Sequence, residues 1–210
     1  MVRNEIDNLI LGFDRALRSL TGQYQGQRPN PAGEKEETVL DDLQLQHTIG
    51  LMRVNHCGEI CAQALYEGQA VTAKSTQTQK VLQGAADEER DHLAWCGQRL
   101  EELGGRPSLL NPLFYGVSFL VGAVTGLVGD KVSLGFVEAT EDQVVDHLER
   151  HLDELPKEDE RSRAILEQMR VDEQAHGMRA LDMGGEAFPQ SIKRVMTVLS
   201  RVMTQTTYKI

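Results

Sequence analysis

The chain has 210 residues, 40% hydrophobic and 26% charged, with a formal charge of −10. Such a composition excludes a disordered tail and an integral multi-span membrane protein, and the length allows one domain with a sizeable core. Aromatics are only 5% and recurrent Val/Ile/Thr strand patterns are missing, which argues against an all-β fold; the acidity argues against nucleic acid as a partner.

Helical spacing dominates the chain. Ile6, Leu9, Ile10, Phe13 and Leu17 predict a short amphipathic helix. Gly22, Gly26, Pro29, Pro31 and Gly33 then mark a linker up to Lys35. Long helices are predicted over about 39–74 and 79–103, the second stopped by Gly104, Gly105 and Pro107. Residues 108–129 carry no charge. Length alone would let them span a bilayer, although Asn111-Pro112 and four glycines weaken that reading. Helices are next predicted over about 130–155, ended by Pro156, and 157–183, ended by Gly184-Gly185. A last helix covers 192–203, with Ile192, Val195, Met196, Leu199 and Met203 on one stripe.

Two Glu-x-x-His units stand out: Glu89 with His92, and Glu173 with His176. Residues three apart share a helix face, so each pair aims a carboxylate and an imidazole at one place. With 19 Glu and six His in the chain, chance supplies roughly 0.5 such pairs if positions are independent. The surroundings add weight. Glu59 lies 30 residues before Glu89, and Glu141 lies 32 before Glu173. The midpoints fall near Lys74-Ser75 and Pro156-Lys157, where the sequence breaks its own helices. In an antiparallel hairpin each lone Glu is then level with its Glu-x-x-His, about 22 Å from the turn. Two facing half-sites give four carboxylates and two imidazoles, the ligand pattern of di-iron or di-manganese bundles. Two divalent ions would offset four buried Glu charges, and this donor set suits iron or manganese. The competing reading is four surface glutamates and two incidental histidines.

The runs LMRVNHCGEICAQALYEGQ, ADEERDHLAW, VEATEDQVVDHLERHL and RVDEQAHGMRAL resemble the demethoxyubiquinone hydroxylase family of ubiquinone biosynthesis. The likeness covers about residues 40–210. It implies an all-α fold: a ferritin-like four-helix bundle with a long apolar crossover and extra N- and C-terminal helices. Residues 1–35 are then an N-terminal helix and linker, and 36–210 the di-iron domain with a membrane-associating segment at 108–129. It implies iron ligands at Glu59, Glu89, His92, Glu141, Glu173 and His176, with Glu89 and Glu173 bridging. The implied enzyme is a di-iron monooxygenase with two irons per chain. It hydroxylates the ring of a polyprenyl benzoquinol with O2 and two electrons from an external donor, peripherally at the cytoplasmic face of the cell membrane. Homo-oligomers and association with other ubiquinone-biosynthesis proteins stay open. No G-x-G-x-x-G or P-loop supplies a built-in nucleotide domain. The rivals are a non-catalytic ferritin-like iron-binding or storage protein and, opposed by the charge, an enzyme acting on tRNA.

A single bilayer crossing at 108–129 would put Glu59 and Glu89 on one side and Glu141 and Glu173 on the other. The segment is therefore expected to pack across the bundle or dip into one leaflet and return. Lys193, Arg194 and Arg201 are candidates for anionic headgroups. His147 and His151 form an i, i+4 pair, a spacing used for zinc, but His147 lies about 120° around the helix from Glu141, which favours a hydrogen-bonded or solvated pair over ligation. Cys57, Cys61 and Cys96 read as small residues of a reducing compartment. Glu138 competes with Glu141 on spacing, Tyr66 lies two turns from Glu59 on its face, and Asp142 and Asp172 are candidates for orienting the histidines.

Overall fold

The computed structural model describes residues 14, 16–22 and 26–210. The helix expected from Ile6 lies mostly outside them; residues 16–21 are helical. The remaining helices are α1 (Asp42–Thr72), α2 (Thr76–Glu102), α3 (Asn111–Val128), α4 (Asp130–Glu154), α5 (Glu160–Asp182) and α6 (Gln190–Thr207). No strand occurs among the described residues. The sequence boundaries hold to within about three residues except in α6, which runs four residues further at its end.

Local chemistry sets the starts. Asp41 and Gln44 form a reciprocal capping box at α1. Ser75 caps α2 and Asp159 caps α5. Between α3 and α4 only Gly129 intervenes, at φ +151°, a backbone conformation that suits glycine. Asp130 accepts from the backbone N–H groups of Lys74 and Ser75 at 2.8 and 2.9 Å. The start of α4 is thereby tied to the α1–α2 turn.

α1–α2 and α4–α5 are antiparallel hairpins, and α4 runs against α1: Gln69 reaches Ser133, Tyr66 reaches Glu141 and Asn55 reaches His151. Four helices therefore form a ferritin-like bundle, as expected. Its interior is layered. At one end Leu51, Met52, Trp95, Leu100, Leu148, Ile165 and Met169 pack together. At the other, Tyr66, Leu82, Leu134, Val137 and Ala180 do so. The polar residues at 59, 89–92, 141 and 173–176 occupy the layer between these apolar ends.

The uncharged segment is neither a loop nor a transverse strap. It is a helix, α3, running parallel to α1 and pressed against it. A Cβ at Gly68 would lie 2.2 Å from the Phe119 carbonyl oxygen, and one at Gly122 would lie 2.2 Å from that of Leu65. Only residues without a side chain allow this approach. The opposite face of α3 exposes Leu113, Val117, Leu120, Val124 and Leu127. α6 rests on α1 and α4 and exposes Val195, Val198, Leu199 and Val202.

Candidate metal centre

Glu59 from α1, Glu89 and His92 from α2 and Glu173 from α5 each offer a ligand atom, all within 4.8 Å of one another. Glu141 and His176 complete the layer from α4 and α5, and all six side chains are buried. The reading of four surface glutamates is overturned, because none of these carboxylates faces water.

Glu89 and Glu173 occupy the middle. The two oxygens of Glu89 lie 3.1 Å from His92 Nδ1 and 3.1 Å from His176 Nδ1. Those of Glu173 lie 2.9 Å from His92 Nδ1 and 2.8 Å from His176 Nδ1. Each of the two central carboxylates thus presents one oxygen to each histidine. Glu59 stands on the His92 side, 3.5 Å from its Nδ1. On the other side Tyr66 donates its hydroxyl to Glu141 Oε1.

Electrostatics mark the layer as a site for cations. Burial and the neighbouring carboxylates push Glu59 and Glu141 well above the usual carboxylate range. Burial also pushes Glu89 upward, but hydrogen bonds from His176 and His92 outweigh it and hold Glu89 far below that range. Burial disfavours the charged form of His176, yet Glu173 and Glu89 raise it to about 12; burial likewise opposes the charged form of His92, but Glu173, Asp172 and Glu59 raise it. Glu59 Oε2 and Glu141 Oε2 remain buried without a hydrogen-bond partner. Orphaned buried carboxylate oxygens are costly unless a cation meets them. Carboxylates plus imidazoles suit iron or manganese, so the residues present fit a pair of such ions.

Both histidines turn Nδ1 inward and Nε2 outward, where each meets a further carboxylate. His92 Nε2 lies 2.9 Å from Asp172 Oδ2, and His176 Nε2 lies 2.8 Å from Glu88 Oε2. Such contacts fix the ring and its tautomer. Asp172 was legible as a candidate; Glu88 was missed. The signal was present, since both units read acid-Glu-x-x-His: Glu88-Glu89 with His92, and Asp172-Glu173 with His176. Each acid serves the histidine of the other hairpin.

Other candidates fall elsewhere. Asp142 and Glu138 both bind Lys193 at 2.9 Å, so Asp142 does not orient a histidine, and Glu138 faces Lys193 rather than competing with Glu141 for a place in the layer. Lys193 is therefore engaged within the protein, against its expected lipid role. His147 and His151 stack with ring centroids 3.8 Å apart, and His151 Nδ1 is 3.0 Å from Asn55 Oδ1. They line a groove of about 460 Å³ between α1, α4 and α6, away from the metal layer. Burial lowers His147 to about 4. The cysteines are free; Cys57 and Cys96 are buried and none joins the ligand group.

A sequence model described as "Ubiquinone biosynthesis protein COQ7" matches residues 46–207. The chain is 58% identical over 207 residues to the 3-demethoxyubiquinol 3-hydroxylase of Ectopseudomonas mendocina (strain ymp), covering 98% of this chain and 96% of that one. It is 56% identical over 207 residues to the enzyme of the same name from Pseudomonas putida (strain W619), with the same coverage. With the Azotobacter vinelandii (strain DJ / ATCC BAA-1303) enzyme of that name, identity is 57% over 206 residues, 97% of this chain and 95% of the relative. The chain belongs to the COQ7 family of ubiquinone biosynthesis proteins.

Proposed function

We propose that the protein is a 3-demethoxyubiquinol 3-hydroxylase, a monooxygenase acting on a membrane-borne polyprenyl quinol. The observation that carries this reading is the buried layer in which Glu89 and Glu173 each present one oxygen to His92 and the other to His176. Glu59 and His92 would hold one iron, Glu141 and His176 the other, with Glu89 and Glu173 bridging. Two iron ions bound there supply the redox chemistry: one oxygen atom of O2 enters the ring, the other leaves as water, and an external donor provides two electrons.

The chain's own residues do the rest. Asp172 and Glu88 orient the imidazoles, the Tyr66 hydroxyl holds Glu141, and the apolar layers at each end exclude water. In this reading residues 36–210 are the di-iron domain and residues 1–35 an N-terminal attachment to it. A storage protein needs no exposed apolar helix, so the bare outer face of α3 favours the enzyme.

That face also supports a peripheral place on the membrane. α3 is long and apolar enough to cross one by length and composition, and most of it is exposed. Its packing along α1 favours a shallow dip at the cytoplasmic face, which gives a polyprenyl substrate a dry approach. Polar flanks of α6, Arg194 and Arg201 among them, suit anionic headgroups at about 1 kcal/mol per charge.

Lipid extraction of a deletion strain tests the function. Demethoxyubiquinone should accumulate, and the gene should restore ubiquinone while Glu173→Ala should not. Normal ubiquinone in the deletion strain would refute the reading. Purified protein should carry about two irons per chain, as six such ligands serve two sites.

A further inference from the structure

The linker from Gly26 onward does not hang free. Residues 26–38 lie across α2 and α5, on the side of the metal layer where the outer histidine nitrogens emerge. Asp91 Oδ1 accepts from the backbone N–H groups of Gln27 and Arg28 at 2.5 and 3.3 Å. The Arg28 guanidinium stacks over Trp95, 4.8 Å from the ring centroid. Further along, Asn30 binds Gln98, Glu37 binds Arg99, and Thr38 binds the Glu158 carbonyl. The strap lies outside the residues that the family's sequence model matches.

Arg28 is placed with purpose at the centre of this strap. Its Nε is 2.8 Å from Asp91 Oδ2, and its NH2 is 2.8 Å from Asp172 Oδ2. That Asp172 oxygen is the one facing His92 Nε2. One planar guanidinium thus spans α2 and α5 and fixes the carboxylate that aims His92. Lysine, a point charge, cannot reproduce the fork. The other half-site is built differently. Glu88, which aims His176, is held by Arg179 at 2.8 and 3.0 Å. Arg179 lies one turn beyond His176 on the same helix and needs no strap.

We infer that Arg28 is a positioning residue for the His92 half-site, so that metal binding there depends on the docked strap while binding at the His176 half-site does not. The inference rests on the two-metal reading above. Its logic is mechanical. Asp172, on a surface-facing turn of α5, loses its ion pair with Arg28 if the strap lifts, and His92 then loses its fixed orientation. Loss of such an outer partner lowers metal affinity typically 10–100-fold. The internal twofold of the sequence therefore conceals an inequivalence: one half-site is autonomous, and the other is conditional on a segment 64 residues before its histidine in sequence.

The test is titration of metal-free protein with Co(II), whose visible absorption follows each binding step. The wild type should take up two Co(II). Arg28→Ala should weaken one step 10–100-fold and leave the other within about twofold. Site identity comes from single-site variants: with His176→Ala, the remaining site should respond to Arg28→Ala; with His92→Ala, it should not. Arg179→Ala should give the reverse pattern. Arg28→Lys should weaken the same step less and serves where Arg28→Ala fails to fold. Equal weakening of both steps, no weakening, or loss of fold in both Arg28 variants would overturn the inference. A wild type that binds fewer than two Co(II), or binding that survives Glu89→Ala, would instead refute the two-metal reading.

Discussion

Helices α1 and α4 each supply one lone glutamate to the buried polar layer, yet they are covered very differently. α1 is enclosed by α2, by α3 along its second half and by α6 near its start. Its buried residues run from Thr48 to Ala70 on every face. A helix buried all round needs apolar or small residues all round, and α1 carries Gly50, Ala64, Gly68 and Ala70 where neighbours press closest. α4 keeps an exposed flank at Asp142, Asp146, Glu149 and Arg150. A duplicated ligand pattern therefore does not require a duplicated environment. The ligands set where the helices meet; the covering elements decide what else each helix can do.

The equivalence of the two glutamates is the part with the largest expected effect. Glu59→Ala and Glu141→Ala should each remove hydroxylation below detection and leave less than two irons per chain by metal analysis. Should Glu141→Ala keep full iron and turnover while Glu59→Ala loses both, the layer is not a symmetric pair and the site collapses to the four residues clustered most tightly around Glu59.

The covering of α1 by α3 is next. Leu120 is 65% exposed on the bare ridge, whereas Phe119 packs toward Ile60, Ala64 and Tyr115. Aspartate in hydrocarbon costs about 2.5–3.5 kcal/mol, so Leu120→Asp should lower liposome binding by roughly two decades. Iron content should stay normal, and a short-chain quinol should remain a substrate. Phe119→Asp should instead disturb the fold. If Leu120→Asp bound liposomes as tightly as the wild type, the ridge would not be the lipid contact.

Packing between α1 and α3 gives a smaller effect. Gly122→Ala places a methyl group against the Leu65 carbonyl and should destabilise by about 2 kcal/mol in urea unfolding, in the range for overpacking. Gly116→Ala on the same helix meets nothing within 4 Å. It should be neutral or stabilising by up to about 1 kcal/mol, through helix propensity. Equal effects of both substitutions would mean that α3 does not sit on α1 as described.

Much of this was legible in the sequence. The i, i+3 pairs and the hairpin midpoints singled out six residues that the structure gathers into one buried layer, because helix periodicity converts spacing into direction. Glu88 escaped although it repeats the acid-Glu-x-x-His order of Asp172, because its partner His176 belongs to the other hairpin, 88 residues away. The strap escaped for the same reason: Gly and Pro mark a linker, but nothing local says that Arg28 docks it. The glycines of 108–129 weakened a simple span; their role as a close-packing face needed the matching Gly68 on α1.

The smallest expected effect concerns His56, one residue of the enclosed stretch of α1. It is 1% exposed, and burial lowers it to about 4. Its ordinary value is about 6.5. Between these values the unfolded chain binds the extra proton, so stability falls as pH falls from 6.5 toward 4 and is fully present above 6.5. At pH 5.5 the loss from this group should be about 1.4 kcal/mol, one pH unit at 1.36 kcal/mol. The other buried acids titrate too, so the measurement is a difference: urea unfolding of metal-free wild type and His56→Gln at pH 7.5 and 5.5. Glutamine carries no proton in this range, so whatever gap separates the two proteins at pH 7.5 should shrink by about 1.4 kcal/mol at pH 5.5. A constant gap would mean that His56 titrates alike folded and unfolded, and that α1 is less enclosed at this turn than its neighbours make it.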